Sequence, residues 1–242
     1  MIYNINGSEY PSVTTILDML DKSSALINWA LNCFEKKAIE MFPLKDTPIG
    51  YDTFKNLLTI AKHDYKNISE KALDVGTMLH GLIEKYIKHG KDATGNIPDE
   101  VQNGFIAFLE WEKENQVEWL ASELIVCDEQ IGYTGTLDAI ARIKGEIYVI
   151  DFKSSKAIYD EYLLQLFAYF NAYNQNGKEA TKCGILRLDK ETGVPEWKSF
   201  DFDPIKFSAF VNLTEAYYRL KKRRLKDNPV IEKIYRKEVC VS

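Results

Sequence analysis

No run of 18 apolar residues occurs in the 242-residue chain, so no segment is expected to cross a membrane as a helix. The first residues, MIYNINGSEYPS, lack both a basic n-region and an apolar h-region, and read as neither a signal nor an Arg-rich transit peptide. Cysteine is scarce. Cys33, Cys127, Cys183 and Cys240 stand apart with no C-x-x-C pair, which points to a reduced, cytoplasmic protein. No G-x-x-x-x-G-K-(S/T) is present, so no ATP motor is encoded. Internal repeats and low-complexity segments are missing as well. So is an excess of positive charge: the net charge of −5 argues against coating of nucleic acid by bulk electrostatics. It is compatible with an enzyme that holds a strand only inside a channel. Cations gather at one place, Arg219–Lys226, which reads RLKKRRLK. That segment is either a phosphate-facing helix end or the solvated, dipole-favoured last turns of a C-terminal helix. What is present, 45% hydrophobic and 28% charged residues, suits one globular domain with a helical elaboration.

The chain is organised around Gly132–Tyr169. Two runs rich in apolar and β-branched residues, Thr136–Ile143 and Glu146–Phe152, flank Lys144-Gly145. That is a hairpin signal, although lysine is a poor first residue for a primed turn. If the loop is those two residues, Asp138 falls opposite Asp151, on a shared face with Cβ atoms about 4.5–5.5 Å apart. Lys153 joins that face through the strand period of two. A bulge at the turn would spoil the pairing. Ile147, Val149 and Ile150 promise burial, and buried adjacent carboxylates repel. A divalent cation relieves that repulsion, and oxygen ligands of this kind suit Mg²⁺ or Mn²⁺. The alternative is an Asp151–Lys153 surface ion pair on an edge strand, with Asp138 solvated.

Gly135–Asp138 gives G-x-x-D, Ile150–Ser155 gives I-D-F-K-S-S, and the following helix carries Gln165-Leu166 and Tyr169 as Q-L-x-x-Y. Together these resemble the PD-(D/E)xK nuclease superfamily in its RecB-type exonuclease branch, which includes the mitochondrial genome-maintenance exonucleases and their phage and bacterial relatives. The P-S-V-T of Pro11–Thr14 and the G-x-x-x-H of Gly76–His80 extend the resemblance, which covers about Tyr10 to Leu188. It implies an α/β fold with a mixed central sheet flanked by helices, and a helical region before the core that roofs the site and guides single strands. It also implies metal ligation by His80, Asp138, Asp151 and the main-chain carbonyl of Phe152. Lys153 becomes the catalytic lysine, and Gln165 and Tyr169 shape the site. Glu123 is a further metal or water contact. Ser12, Thr14 and Thr15, in the first turn of a helix, and Lys156 become DNA contacts; plain capping by Ser12 is the alternative. Some relatives hold an iron–sulfur cluster with a tight C-terminal trio of cysteines. That trio is absent here, and no cluster is expected.

Apolar spacing predicts helices over 24–40 and 52–66, a new helix capped by Ser69 and running to Lys88, and another over 99–117. Strands are predicted at 120–127, 135–143, 146–153, 182–188 and 197–202, a helix at 159–174 and a last helix from Pro204. The expected organisation is 1–68 as the N-terminal hairpin and helical region, 69–226 as the nuclease core and 227–242 as a tail. The expected activity is a metal-dependent exonuclease on DNA, preferring single strands or ends. The rival classes are an endonuclease of the same chemistry and a DNA-binding module whose metal site has decayed.

Overall fold

The N-terminal hairpin pairs β1 (Ile2–Ile5) with β2 (Ser8–Pro11) in the computed structural model, which describes residues 1–42, 48–175 and 177–220. Asn6 and Gly7 take φ of 53° and 84°. Positive φ at both central residues is what a type I′ turn needs, and Asn-Gly supplies it at low cost. Ser12 then caps α1 (Val13–Leu17), its Oγ accepting from the Thr15 amide at 3.1 Å. A short bridge joins Ser12 to Thr134.

The described residues form two compact units, one of Met1–Met19 with Met78 onward, the other Leu20–Thr77. The second holds α2 (Ser23–Met41) and most of α3 (Tyr51–His89), with edge-on ring pairs Trp29–Tyr65 at 6.3 Å and Phe42–Phe54 at 6.0 Å. Here the helix expected to start at Ser69 is corrected: α3 is one helix of 39 residues that runs straight through it. Residues 51–75 contain neither glycine nor proline. A serine inside such a run costs only a few tenths of a kcal/mol in propensity, about 0.5 at most, too little to stop a helix already propagating.

In the first unit, α4 (Asp99–Asn115) precedes a five-stranded sheet in the order β3 (Glu118–Asp128), β4 (Tyr133–Ile143), β5 (Glu146–Lys153), β6 (Lys182–Leu188), β7 (Pro195–Phe200). All neighbours are antiparallel except β5 and β6. A parallel pair needs a crossover, and α5 (Asp160–Gln175) provides it, packing on β3 to β6. The covering explains the composition of the central strands. Leu137, Ala139, Ile140, Ala141, Val149 and Ile150 are all fully buried, so successive residues on both faces are apolar. β7 begins two residues earlier than its apolar run predicted, at Pro195. The last helix is α6 (Pro204–Leu220), within which Arg219 pairs with Glu215 at 2.7 Å. The rest of the basic run, and the tail from Asp227, lie outside the described residues. Among the described residues no helix is long and apolar enough to cross a membrane.

The β4–β5 turn decides the site. Lys144 and Gly145 both have positive φ, 51° and 88°, so lysine accepts the left-handed conformation and the loop has two residues. Ile143 then pairs with Glu146 and Ala139 with Ile150. No bulge intervenes in this pairing, and the register brings Asp138 to the level of Asp151.

Candidate active site

Ladder pairing of β4 with β5 stops at Ala139–Ile150. One step on, Asp138 Oδ2 accepts a hydrogen bond from the Phe152 amide at 2.6 Å, so a side chain takes over where the ladder ends. Asp151 is 1% exposed, and its Oδ2 lies 2.7 Å from Lys153 Nζ without any well-angled hydrogen bond. The surface ion pair that the sequence allowed is therefore not what forms, because the strand is central and covered. Lys153 Nζ also donates to Gln165 Oε1 at 3.0 Å, and Gln165 Nε2 donates to the Tyr169 hydroxyl at 3.2 Å. Gln165 and Tyr169 lie one turn apart on α5, which puts both on the face turned to β5.

Gly135 owes its identity to this row. A Cβ built there would stand 2.7 Å from Tyr169 Cε1, closer than real Cβ contacts come. The glycine of G-x-x-D thus leaves room for the Tyr169 ring. Nothing in the spacing alone indicates that.

His80 reaches the carboxylates from α3, with Nδ1 3.5 Å from Asp138 Oδ1. Its ring meets Phe152 edge-on at 6.1 Å, and Phe152 in turn packs on Phe108 and Trp119 at 5.9 and 6.2 Å. Tyr86, two turns after His80, donates to Glu112 Oε2 at 2.6 Å and packs on Phe105 and Phe108. Burial first, then the Glu112 contact, pushes its phenol up to about 12, which keeps it a donor. This aromatic cluster fixes the end of α3 that carries His80. Glu84 is tied to Lys88 at 2.6 Å.

Glu123 sits in β3 between the pairs Ser122–Ala139 and Leu124–Leu137, at the level of Asp138, with φ of 51°. A left-handed glutamate inside a strand is uncommon and costs roughly 1–2 kcal/mol. Burial, then the charges of Asp138 and Glu84, raises its pKa.

The four charged groups act on one another. Burial, partly opposed by Lys153 and reinforced by Asp138, pushes Asp151 up to about 6. For Asp138, burial acts upward, but the His80 and Lys153 charges and the Phe152 amide outweigh it, and the pKa is lowered. Burial would lower the His80 imidazole, yet Asp138 and Asp151 raise it. Lys153 is likewise raised, since Asp151 and Asp138 overcome its burial. Asp151 thus combines burial, an upward shift and an oxygen without a well-angled donor. The donor chemistry of His80, Asp138 and Asp151 fits a divalent cation. These side chains are engaged with one another, however: among the described residues no group of His, Cys, Asp or Glu stands as a ready cage.

Residues 100–240 match the model of the PD-(D/E)XK nuclease superfamily. The chain belongs to that superfamily. Its nucleases generally use divalent metal ions. Over 153 residues the chain is 24% identical to mitochondrial genome maintenance exonuclease 1 of Mus musculus, a match covering 60% of this chain and 45% of that protein. The chain thus spans less than half the length of that curated relative. An alkaline exonuclease from Laribacter hongkongensis aligns over 75% of this chain and 87% of its own at 12% identity, with a TM-score of 0.40. The same enzyme in complex with dAMP aligns over the same shares at 12% identity and 0.39. Asp138, Asp151 and Lys153 lie within the superfamily match, and His80 lies before it.

Of the residues singled out in the sequence, Asp138, Asp151, Lys153, Gln165, Tyr169, His80 and Phe152 are linked by contacts in the structure. Glu123 joins them through its place opposite Asp138. Ser12 is 4% exposed and its hydroxyl caps α1, as in the plainer alternative, while Thr15 Oγ1 bonds to Ser12 Oγ at 2.8 Å and to the Met1 carbonyl at 3.1 Å. Thr14 and Lys156 are exposed. The feature that sequence reasoning missed is Tyr162, whose ring faces Lys153 Nζ at 4.6 Å. An aromatic in the first turn of an amphipathic helix reads as core, and no spacing rule separates the two.

Proposed function

We propose that this chain is a divalent-metal-dependent DNA exonuclease, hydrolysing phosphodiester bonds in single strands or at DNA ends during replication, recombination or repair. The observation that carries the proposal is the Asp138–Asp151–Lys153 set at the end of the β4–β5 ladder, with Asp151 buried and the other two half-buried, within a chain of this nuclease family. His80, Asp138, Asp151 and the Phe152 carbonyl would hold Mg²⁺ or Mn²⁺. When bound, the ion supplies Lewis-acid activation of the scissile phosphate and of the attacking water.

The chain's own residues supply the rest. Lys153, held by Asp151 and Gln165, presents a fixed ammonium that orients the water and offsets charge developing on the phosphate. Such a group is worth most where, as here, it is mostly shielded from solvent, with 15% exposure. Gln165 and Tyr169 restrict where that ammonium can go. Glu123 stands beside Asp138 as a further contact for water or metal. Thr14 and Lys156, the exposed members of the DNA-contacting set, would meet neighbouring phosphates, and Ser12 and Thr15, engaged in the cap of α1, would sit behind them.

The test is digestion of end-labelled single-stranded DNA in Mg²⁺, Mn²⁺ and EDTA, beside Asp151→Ala and Lys153→Ala. Cleavage is expected only with metal and only in the wild type, with both variants folded. A circular single strand should resist. Its cleavage would replace exonuclease by endonuclease, and DNA binding without cleavage in either metal would replace both by a non-catalytic module.

A further inference from the structure

The ammonium of Lys153 has three N–H donors. Asp151 Oδ2 takes one side at 2.7 Å and Gln165 Oε1 another at 3.0 Å. The ring of Tyr162 stands against a further flank, with its centroid 4.6 Å from Nζ, and leaves a donor for the phosphate and water. That distance lies well inside the range at which an aromatic face attracts a cation. Tyr162 is half-buried on the first turn of α5, three residues before Gln165, so it shares the helix face that carries Gln165 and Tyr169. Its ring is braced edge-on by Tyr159 at 5.5 Å, just before the helix starts. A flexible four-carbon lysine stem is thereby confined on several sides by groups from β5 and α5.

We infer that Tyr162 is a positioning residue for the nuclease reaction, holding the Lys153 ammonium on the reacting phosphate and water through its ring face. The inference rests on the proposed nuclease activity of this site. Without the ring, Lys153 keeps its charge and its partner Asp151, but water and alternative rotamers enter on the open flank. The effect falls on the chemical step rather than on substrate binding, since Tyr162 acts on the lysine and the lysine acts on the developing charge.

The ring, and not the hydroxyl, makes the contact, so Tyr162→Phe and Tyr162→Leu separate the roles. In metal-dependent digestion of end-labelled single-stranded DNA by the full chain, Tyr162→Phe is expected to stay within about twofold of wild type. Tyr162→Leu is expected to lose roughly tenfold in kcat with KM little changed. Equal losses in Phe and Leu, or a loss in KM alone, would each overturn the assignment. A second readout needs no activity: urea unfolding of Tyr162→Leu, Lys153→Met and the double variant. Coupling is expected, with the double variant's unfolding constant differing about fivefold from the product of the single effects. Additivity would remove Tyr162 from Lys153 whether or not the wild type cleaves DNA. Coupling without wild-type cleavage would leave the ring–lysine contact standing and retire the nuclease reaction it was assigned to serve.

Discussion

Gly135→Ala adds one methyl group in the most crowded part of the site. The new Cβ would stand 2.7 Å from Tyr169 Cε1, 3.4 Å from its hydroxyl and 3.5 Å from Cζ. Ordinary contact begins near 3.4 Å, so the ring or the β4 backbone must move by several tenths of an ångström. Neither moves freely: Tyr169 is 4% exposed on α5, and Gly135 is paired to Val126 in the sheet. Overpacking of this kind costs about 1–3 kcal/mol. The displacement also has a direction. Tyr169 bonds to Gln165 and Gln165 to Lys153, so a shifted ring hands its error to the ammonium. Misplacement approaching 1 Å at a reacting group can cost about 100-fold, and a fraction of that shift implies roughly tenfold. Urea unfolding should show the stability loss, and cleavage of labelled single strands at saturating substrate should show the rate loss. A variant with wild-type stability and wild-type rate would refute the claim that Gly135 is there to seat Tyr169.

Other outcomes follow from the packing. A Cβ at Gly184 would meet Trp197 Cη2 at 1.9 Å on a central strand, so Gly184→Ala should destabilise by about 3 kcal/mol or leave the chain unfolded in urea titrations. Gly81 sits in α3 with open space, nothing within 4 Å, where a Cβ would stand, and Gly81→Ala should stabilise by about 0.5–1 kcal/mol in the same assay. Hydrogen bonds from the Thr192 amide first, then the Arg187 guanidinium, bring Asp189 down to about 2 from 3.8. A lowered folded-state pKa contributes stability that is complete above 3.8 and is lost as pH falls toward 2. Asp189→Asn should therefore flatten that part of the acid limb, and acid titrations of the two forms that run parallel would contradict it.

Much of the site could be read from the chain because two strict periodicities meet there. A two-residue loop and a strand period of two bring Asp138 level with Asp151 and leave Lys153 on the same face. Gln165 and Tyr169 were singled out by the resemblance, and helical spacing puts them on one face. His80 could not be reached that way: its distance in sequence from the hairpin is bridged by packing of Tyr86, Phe108 and Phe152, and only the resemblance singled it out. Ser69 misled because serine favours caps, whereas the helix through it depends on the absence of any breaker. The left-handed φ at Glu123 has no signature in a run that otherwise reads as strand. Tyr162 was hidden because a ring facing a cation and a ring facing the core have the same sequence.

The bond between Asp138 and the Phe152 amide has one more consequence. Most amides in the sheet are shielded by neighbouring strands, and their exchange with deuterated solvent reports the opening of the sheet. The Phe152 proton is held by a carboxylate instead. Its chemical shift and its exchange rate therefore follow the engagement of Asp138, and anything that draws on that carboxylate will register at this one amide. A single backbone resonance at position 152 thus serves as a spectroscopic witness to events among the acids, readable in a chain that is not turning over.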